Sequence, residues 1–203
     1  MPELAFFSPA SRLANRSFLL PGLALLAVVF AALLVGNSLA PARAEARSLI
    51  APAKACPVGA QGAGKAQLGK ARRAMTCMVN YARRKKGLWR YHRRSQLAWS
   101  AERKAKDIQR CGFAHSACGR QFDYWIKRSG YLGRSGWATG ENIAWGGGSL
   151  GNVRSIFVAW MKSSGHREAI LSRTYTDVGA GLVKGRFDGV PGAGIWVLHF
   201  GRN

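Results

Sequence analysis

The chain has 203 residues and carries 31 lysines and arginines against 9 acidic residues, a formal charge of +22 at neutral pH. Its length fits one domain with a buried core. A charge of this size attracts polyanions over long range, so nucleic acid would be the default partner of a cytoplasmic protein. The first residues of the chain argue against that location.

The N-terminus has the parts of a secretory signal peptide. Arg12 and Arg16 supply positive charge, an apolar run covers 18–35, and Ala42-Arg43-Ala44 supplies the small-residue pattern before a cleavage site. We predict cleavage after Ala44, with Ala44-Glu45-Ala46 as a second site. An uncleaved membrane anchor is the alternative, because an apolar run of 18 residues is at the lower limit for crossing a bilayer.

The predicted organisation is a signal peptide over 1–44, a tether rich in Ala, Pro and Gly over 45–65, and a folded domain over 66–203. Removal of 1–44 takes away three arginines and one glutamate and leaves 28 basic against 8 acidic residues, a charge of +20. We expect the protein to be secreted or periplasmic, or membrane-anchored if it is not cleaved. Its expected partner is an anionic lipid or envelope glycan and not nucleic acid; a solvated basic surface without a specific partner is the alternative.

Four cysteines, Cys56, Cys77, Cys111 and Cys118, fall in the exported part, where an even number predicts disulfides. Three pairings are open; the local one joins Cys111 to Cys118 and leaves Cys56 with Cys77. Seven helical residues would separate two Cα atoms by about 10.5 Å, whereas a disulfide needs less than about 7 Å, so the chain between Cys111 and Cys118 must leave the helix. A zinc site is the weaker alternative, since no Cys-x-x-Cys pair occurs.

Apolar residues recur at helical spacing in four stretches. Glycines follow the first and third of these, as expected after a helix C-terminus. The predicted helices cover about 66–86 (ended by Gly87), a stretch capped by Ser95 and ending near Cys111, 122–126 (closed by Gly130), and a helix from 153 that Gly165 breaks before a brief continuation at 170–171.

The end of the chain changes to strand-like periodicity. Apolar runs over 178–183 and 195–200 flank turn residues at 185–194, and a weaker strand candidate covers 142–145. Helices that precede a small, mostly antiparallel sheet indicate an α+β sandwich.

Three residues stand where they could carry chemistry. His115 lies inside the predicted Cys111–Cys118 loop, and Glu141 follows a glycine at a strand start. His166 follows the break at Gly165, so its imidazole would sit at a helix N-terminus, where a lowered pKa keeps it neutral for metal ligation. Surface or turn residues without a role are the alternative for each.

A basic run with interleaved aromatics is the second candidate site. It could hold a phosphorylated or acidic glycan, and it would also suit nucleic acid. A charged helix end and loop without a ligand is the alternative. Its cations are Arg83, Arg84, Lys85, Lys86, Arg90, Arg93 and Arg94.

Two pattern matches are rejected. The stretch 146–151 fits Gly-x-Gly-x-x-Gly but has no βαβ pattern around it, so we interpret it as a flexible loop. His166-Arg167-Glu168 fits the His-x-Glu of zinc deaminases, but the partner Pro-Cys-x-x-Cys is absent from the sequence.

Several short motifs occur together in a family order over about 75–202. Taken together, the chain resembles the CAP superfamily of cysteine-rich secretory proteins, antigen 5 and plant pathogenesis-related proteins, and most of all its bacterial secreted branch. The matching residues are Val79-Asn80-x-x-Arg83-x-x-x-Gly87-Leu88, Gly112-Phe113-Ala114-His115, Gly130-Tyr131, Gly140-Glu141-Asn142-Ile143, Trp160-x-x-Ser163-x-Gly165-His166-Arg167, Tyr175-Thr176-Asp177-Val178-Gly179-Ala180-Gly181 and Trp196-Val197-x-x-Phe200-Gly201.

The resemblance implies a three-layer α-β-α sandwich with a central cleft, where two histidines and two acids can hold a divalent metal. Carried over by position, His115, Glu141 and His166 are three of these residues. Ser163 stands where the second acid is expected. Two imidazoles and one carboxylate would still suit Zn²⁺ with an open position, or another divalent metal.

Three functions remain open at the level of sequence. The favoured one is a secreted binding module for a lipid or envelope glycan without turnover. The second is a metal-dependent hydrolase that uses His115, Glu141 and His166. The third is a basic stress or structural protein of the envelope.

Overall fold

The computed structural model of the chain describes residues 48–57 and 65–203. The predicted signal peptide over 1–44 and both cleavage sites lie outside these residues. Within the two described ranges, no helix is both long enough and apolar enough to cross a membrane.

The described residues contain five α-helices and four β-strands. The helices are α1 (Lys65–Lys85), α2 (Ser95–Cys111), α3 (Tyr124–Arg128), α4 (Val153–Lys162) and α5 (Ser164–Leu171). The strands are β1 (His92–Arg93), β2 (Ala138–Gly146), β3 (Asp177–Phe187) and β4 (Val190–Arg202).

The strands form one sheet in the order β1-β3-β4-β2. The short β1 is parallel to β3, and the β3–β4 and β2–β4 pairs are antiparallel. The predicted α+β sandwich with a mostly antiparallel sheet is therefore confirmed. The parallel edge strand β1 was not predicted, because two exposed residues carry no periodicity.

Side chains alternate across the sheet and build a core on each face. On β4, Trp196, Leu198 and Phe200 pack into the cluster that contains α1 and α4 residues. Ile195 and Val197 point to the other face, where α2 covers them. The sheet thus lies between two helical layers. Polar side chains of β4 that point in the same direction as Ile195 and Val197 face α2.

The first two helices match their predicted bounds, but two boundary details were wrong. Ser95 is the first residue of α2 rather than its cap, and the N-cap residue Arg94 makes no side-chain capping bond. The break after α4 is at Ser163, whose backbone is extended (φ −85°, ψ 125°). Gly165 instead lies inside α5.

The hairpin between β3 and β4 is tighter than predicted. Only Asp188 and Gly189 form the turn, and both have positive φ (48° and 74°), the geometry that a two-residue hairpin requires. Pro191 and Gly192 belong to β4.

The glycine-rich stretch 146–151 is not the flexible loop that we predicted. Its second half forms a 3₁₀ turn, Gly148–Gly151, that packs directly on the sheet. A Cβ on Gly194 of β4 would lie 2.6 Å from the Gly151 carbonyl oxygen, and that oxygen accepts a 2.9 Å hydrogen bond from the Trp196 indole. The glycines serve close backbone approach rather than mobility.

Two disulfides join Cys56 to Cys77 and Cys111 to Cys118, which is the local pairing considered from sequence. The first ties the described part of the predicted tether to α1. Leu49 and Ala51 of that segment are buried in the core, and Arg154 donates to the Ala51 carbonyl at 2.7 Å. Residues 48–57 therefore pack as part of the domain.

Candidate functional site

The Cys111–Cys118 loop delivers His115 to the edge of the sheet. The chain leaves α2 at Gly112 (φ 100°) and returns at Cys118 (φ 58°), as the disulfide geometry required. His115 Nδ1 lies 2.6 Å from Glu141 Oε1. The imidazole is half exposed, whereas the Glu141 side chain is only 1% exposed. A His and Glu pair predicted from sequence is therefore brought together.

A histidine that the sequence analysis did not single out completes this arrangement. His199 of β4 stands directly opposite Glu141 of β2, and the His199 Nε2 atom lies 2.9 Å from Glu141 Oε2. The other ring nitrogen of His199 lies 2.7 Å from Ser100 Oγ on α2. His199 is fully buried within an apolar run, and a buried polar side chain needs a partner, which is the signal that could have identified it.

Burial and hydrogen bonding act in opposite directions on Glu141. Desolvation alone would raise the pKa of this carboxyl, but hydrogen bonds from His115 and His199 and the charge of Lys104 outweigh it. The pKa of Glu141 therefore lies below its usual value, and the residue is a carboxylate at neutral pH.

Lys104 supports the same site from the layer of α2. Its side chain is buried, and its ammonium group donates to the His115 carbonyl. Desolvation lowers the pKa of Lys104, and the carboxylates of Glu141 and Asp107 partly offset that effect. Lys104 thus fixes the loop backbone that carries His115.

His166 approaches from the opposite helical layer. It lies in the first turn of α5, as predicted, and its Nδ1 lies 2.7 Å from Ser163 Oγ. Asn142, next to Glu141, donates to the His166 carbonyl at 3.0 Å and ties α5 to β2. Burial lowers the pKa of His166, and the electrostatic interaction with nearby His115 lowers it further. We call His115, Glu141, His166 and His199 the sheet-edge site.

The sheet-edge site does not fit a zinc centre of three protein ligands. Within 48–57 and 65–203, no three His, Cys, Asp or Glu side chains gather as a metal-binding group. Both oxygens of Glu141 are engaged by His115 and His199. Ser163, at the position of the expected second acid, is bonded to His166. The metal-ligand set predicted from the resemblance therefore lacks its second acid, and its one carboxylate is hydrogen-bonded to two histidines.

Ser100, His199 and Glu141 have the composition of a hydrolytic triad but not its accessibility. Ser100 and His199 are both 0% exposed, so no substrate reaches the hydroxyl. The Ser100 hydroxyl also donates to the Leu97 carbonyl at 2.9 Å within α2. This array is a structural network that holds Glu141 in place.

The predicted anion-binding run does not act as one patch. Arg83 is 3% exposed and donates to backbone carbonyls, and Arg94 is paired with Asp177 at 2.8 Å. The remaining members, Arg84, Lys85, Lys86, Arg90 and Arg93, are exposed.

Comparisons with known proteins agree with the family resemblance. Residues 77–200 match the model of the cysteine-rich secretory protein family, CAP. No curated protein matches the chain.

Three solved bacterial structures have a similar fold. An extracellular protein containing an SCP domain from Bacillus anthracis has a TM-score of 0.54 and 20% identity, over 71% of this chain and 45% of that one. An outer surface protein from Borrelia burgdorferi has 0.53 and 20%, over 64% and 90%. A cysteine-rich secretory protein from Staphylococcus aureus has 0.52 and 18%, over 69% and 40%. The chain thus spans less than half of the Bacillus and Staphylococcus proteins.

Proposed function

The chain belongs to the cysteine-rich secretory protein (CAP) family, and from that premise we propose that it is a binding module outside the cytoplasm that holds an anionic component of the cell envelope without turnover. Two disulfides support an oxidising location. The similar Bacillus protein is described as extracellular and the Borrelia protein as an outer surface protein.

The observation that carries the proposal is a contrast between the two candidate sites. The buried polar groups of the sheet-edge site hydrogen-bond one another, and each oxygen of Glu141 already accepts a hydrogen bond from a histidine. Exposed guanidinium groups of Arg84, Arg90 and Arg173 have no carboxylate partner among the residues that the structure describes. Such cations are available to an external anion.

A metal-independent hydrolase is the second candidate, and one observation favours it. Glu141 holds Nδ1 of a half-exposed His115, which is how a general base is oriented. A nucleophile is not supplied by Ser100, which is buried, or by Ser163, which is bonded to His166. A binding module therefore explains more of what the surface shows than a hydrolase does.

The test is retention on immobilised ligands across a salt series. Purified protein is applied to an acidic polysaccharide, to a neutral polysaccharide, and to vesicles of phosphatidylglycerol or phosphatidylcholine. We expect retention on an anionic ligand at about 0.15 M salt, where the Debye length is about 8 Å, and none on the neutral ones. His115→Ala should bind as the wild type does. No retention on either anionic ligand would contradict the proposal.

A further inference from the structure

A concave basic surface lies where the chain after α1 meets the chain after α5. Its volume is about 690 Å³, within the range of about 300–1,000 Å³ that is usual for small-ligand sites. We call it the arginine pocket, and the lining residues used below are Arg83, Arg84, Trp89, Arg90, Arg173 and Thr176.

We propose that the arginine pocket binds the phosphate group of a phosphorylated sugar unit in an anionic envelope glycan. The inference rests on the proposed function and names the ligand class for it.

Arg83 forms the rigid floor of the arginine pocket. Its guanidinium donates to the carbonyls of Trp89 (2.8 Å), Ile170 (2.9 Å) and Ser172 (2.7 Å) and lies 3.5 Å from the centre of the Tyr91 ring. These bonds join the segment before β1 to the segment after α5, so Trp89 and Arg173 come from distant parts of the sequence to one surface. The basic run alone could not indicate this arrangement.

The positive charge of the arginine pocket is not neutralised from within. Asp177 lies next to Thr176, but its carboxylate is already bound by Arg94 (2.8 Å), the Tyr131 hydroxyl (2.7 Å) and the Thr176 hydroxyl (3.0 Å). Burial lowers the pKa of Arg83, and the positive charge of nearby Arg173 lowers it further.

Arginine is suited to phosphate among the anions. Its planar guanidinium donates two parallel hydrogen bonds to phosphate oxygens. Arg84 and Arg90 come from one segment and Arg173 from the other, so cations line the pocket from two sides. A phosphate held between them would supply the negative charge that no carboxylate of the described residues supplies.

Trp89 favours a sugar as the carrier of the phosphate. Trp89 is 89% exposed, and its indole offers a flat apolar face at the pocket. A concave site of this size accommodates a sugar phosphate, whereas a bilayer surface would meet only its rim.

Isothermal titration of the purified protein tests the inference with four probes: a hexose phosphate, the free hexose, inorganic phosphate and phosphatidylglycerol vesicles. We expect saturable binding of the hexose phosphate, weaker binding of inorganic phosphate and none of the free hexose. Arg173→Gln should weaken hexose phosphate binding by at least about tenfold. Arg186→Gln, which removes the same charge at the far end of β3, should leave it unchanged. Trp89→Ala should remove the preference over inorganic phosphate.

Three results would overturn the inference: no saturable binding of the hexose phosphate, equal losses in Arg173→Gln and Arg186→Gln, or binding to the vesicles alone. If the protein is still retained on anionic ligands, the proposed function survives such a result. If retention fails as well, both proposals fall.

Discussion

Glu141 is the residue on which the sheet-edge site depends. Its carboxylate is buried and accepts hydrogen bonds from histidines on two different segments, the disulfide loop and β4. Removing one partner leaves a buried carboxylate oxygen without a donor, which costs more than the net value of the bond itself.

We therefore expect His199→Ala to lower the free energy of unfolding by about 2–4 kcal/mol, because it leaves both a cavity and an unsatisfied carboxylate. Urea denaturation measures this change. His92→Ala is the control, since His92 is 74% exposed and lies 3.7 Å from Asp177, and its effect should stay within about 0.5 kcal/mol. Equal losses in the two variants would contradict the role given to His199.

The lowered pKa of Glu141 predicts a pH dependence with a definite sign. A carboxyl whose pKa is lower in the folded state stabilises the fold above its unfolded pKa of about 4.3 and loses that contribution as the pH falls through the folded value. The stability difference between wild type and Glu141→Gln should be greatest near neutral pH and should shrink below about pH 4. Denaturation midpoints over a pH series measure it; a difference that grows on acidification would contradict the account.

Glu141, His115 and His166 were predictable as site residues because their motifs match the family pattern. Their partners were not, since His199 and Ser100 meet only through the β2–β4 register and the packing of α2. The burial of Arg83 was equally hidden, because its carbonyl acceptors include Ile170 and Ser172, which are far away in sequence.

Among the elements, those with a regular apolar pattern could be predicted from the sequence, whereas those that depend on tertiary contacts could not. Helical periodicity predicted α1 and α2 nearly to their ends, and the apolar runs predicted the cores of β3 and β4. The break at Ser163 and the packed turn at Gly148–Gly151 depend on tertiary contacts. Glycine content alone therefore put the helix break at the wrong residue and predicted a flexible loop where the chain is packed.

The two disulfides should differ in what their loss does. Chain entropy predicts a cost of about 3 kcal/mol for the 21-residue separation of Cys56–Cys77 and about 2 kcal/mol for the 7-residue separation of Cys111–Cys118. Paired Cys→Ala variants in chemical denaturation check this order. Only loss of Cys111–Cys118 should shift the imidazole NMR signals of His115, and an equal shift in both variants would contradict the positioning role.

At the scale of the whole molecule, charge is the dominant property. The formal charge of +22 makes some attraction to any polyanion unavoidable, so affinity alone does not identify a ligand. Attraction without a site weakens smoothly with salt and is indifferent to which arginine is removed.

We therefore expect retention on a phosphorylated polysaccharide to fall more in Arg84→Gln than in Arg186→Gln, at equal net charge. The reason is that Arg84 lines the arginine pocket, whereas Arg186 is exposed near the β3–β4 turn. Salt elution profiles of the two variants measure the difference. Identical profiles would mean that retention depends on the overall charge and not on the arginine pocket.

Binding without turnover can be tested in a single incubation. Purified protein is mixed with an immobilised phosphorylated polysaccharide near neutral pH at about 0.15 M salt, and both the bound protein and the chain length of the recovered polysaccharide are measured. We expect bound protein and an unchanged chain length. Unbound protein, or a polysaccharide that the wild type shortens and His115→Ala does not, would contradict it.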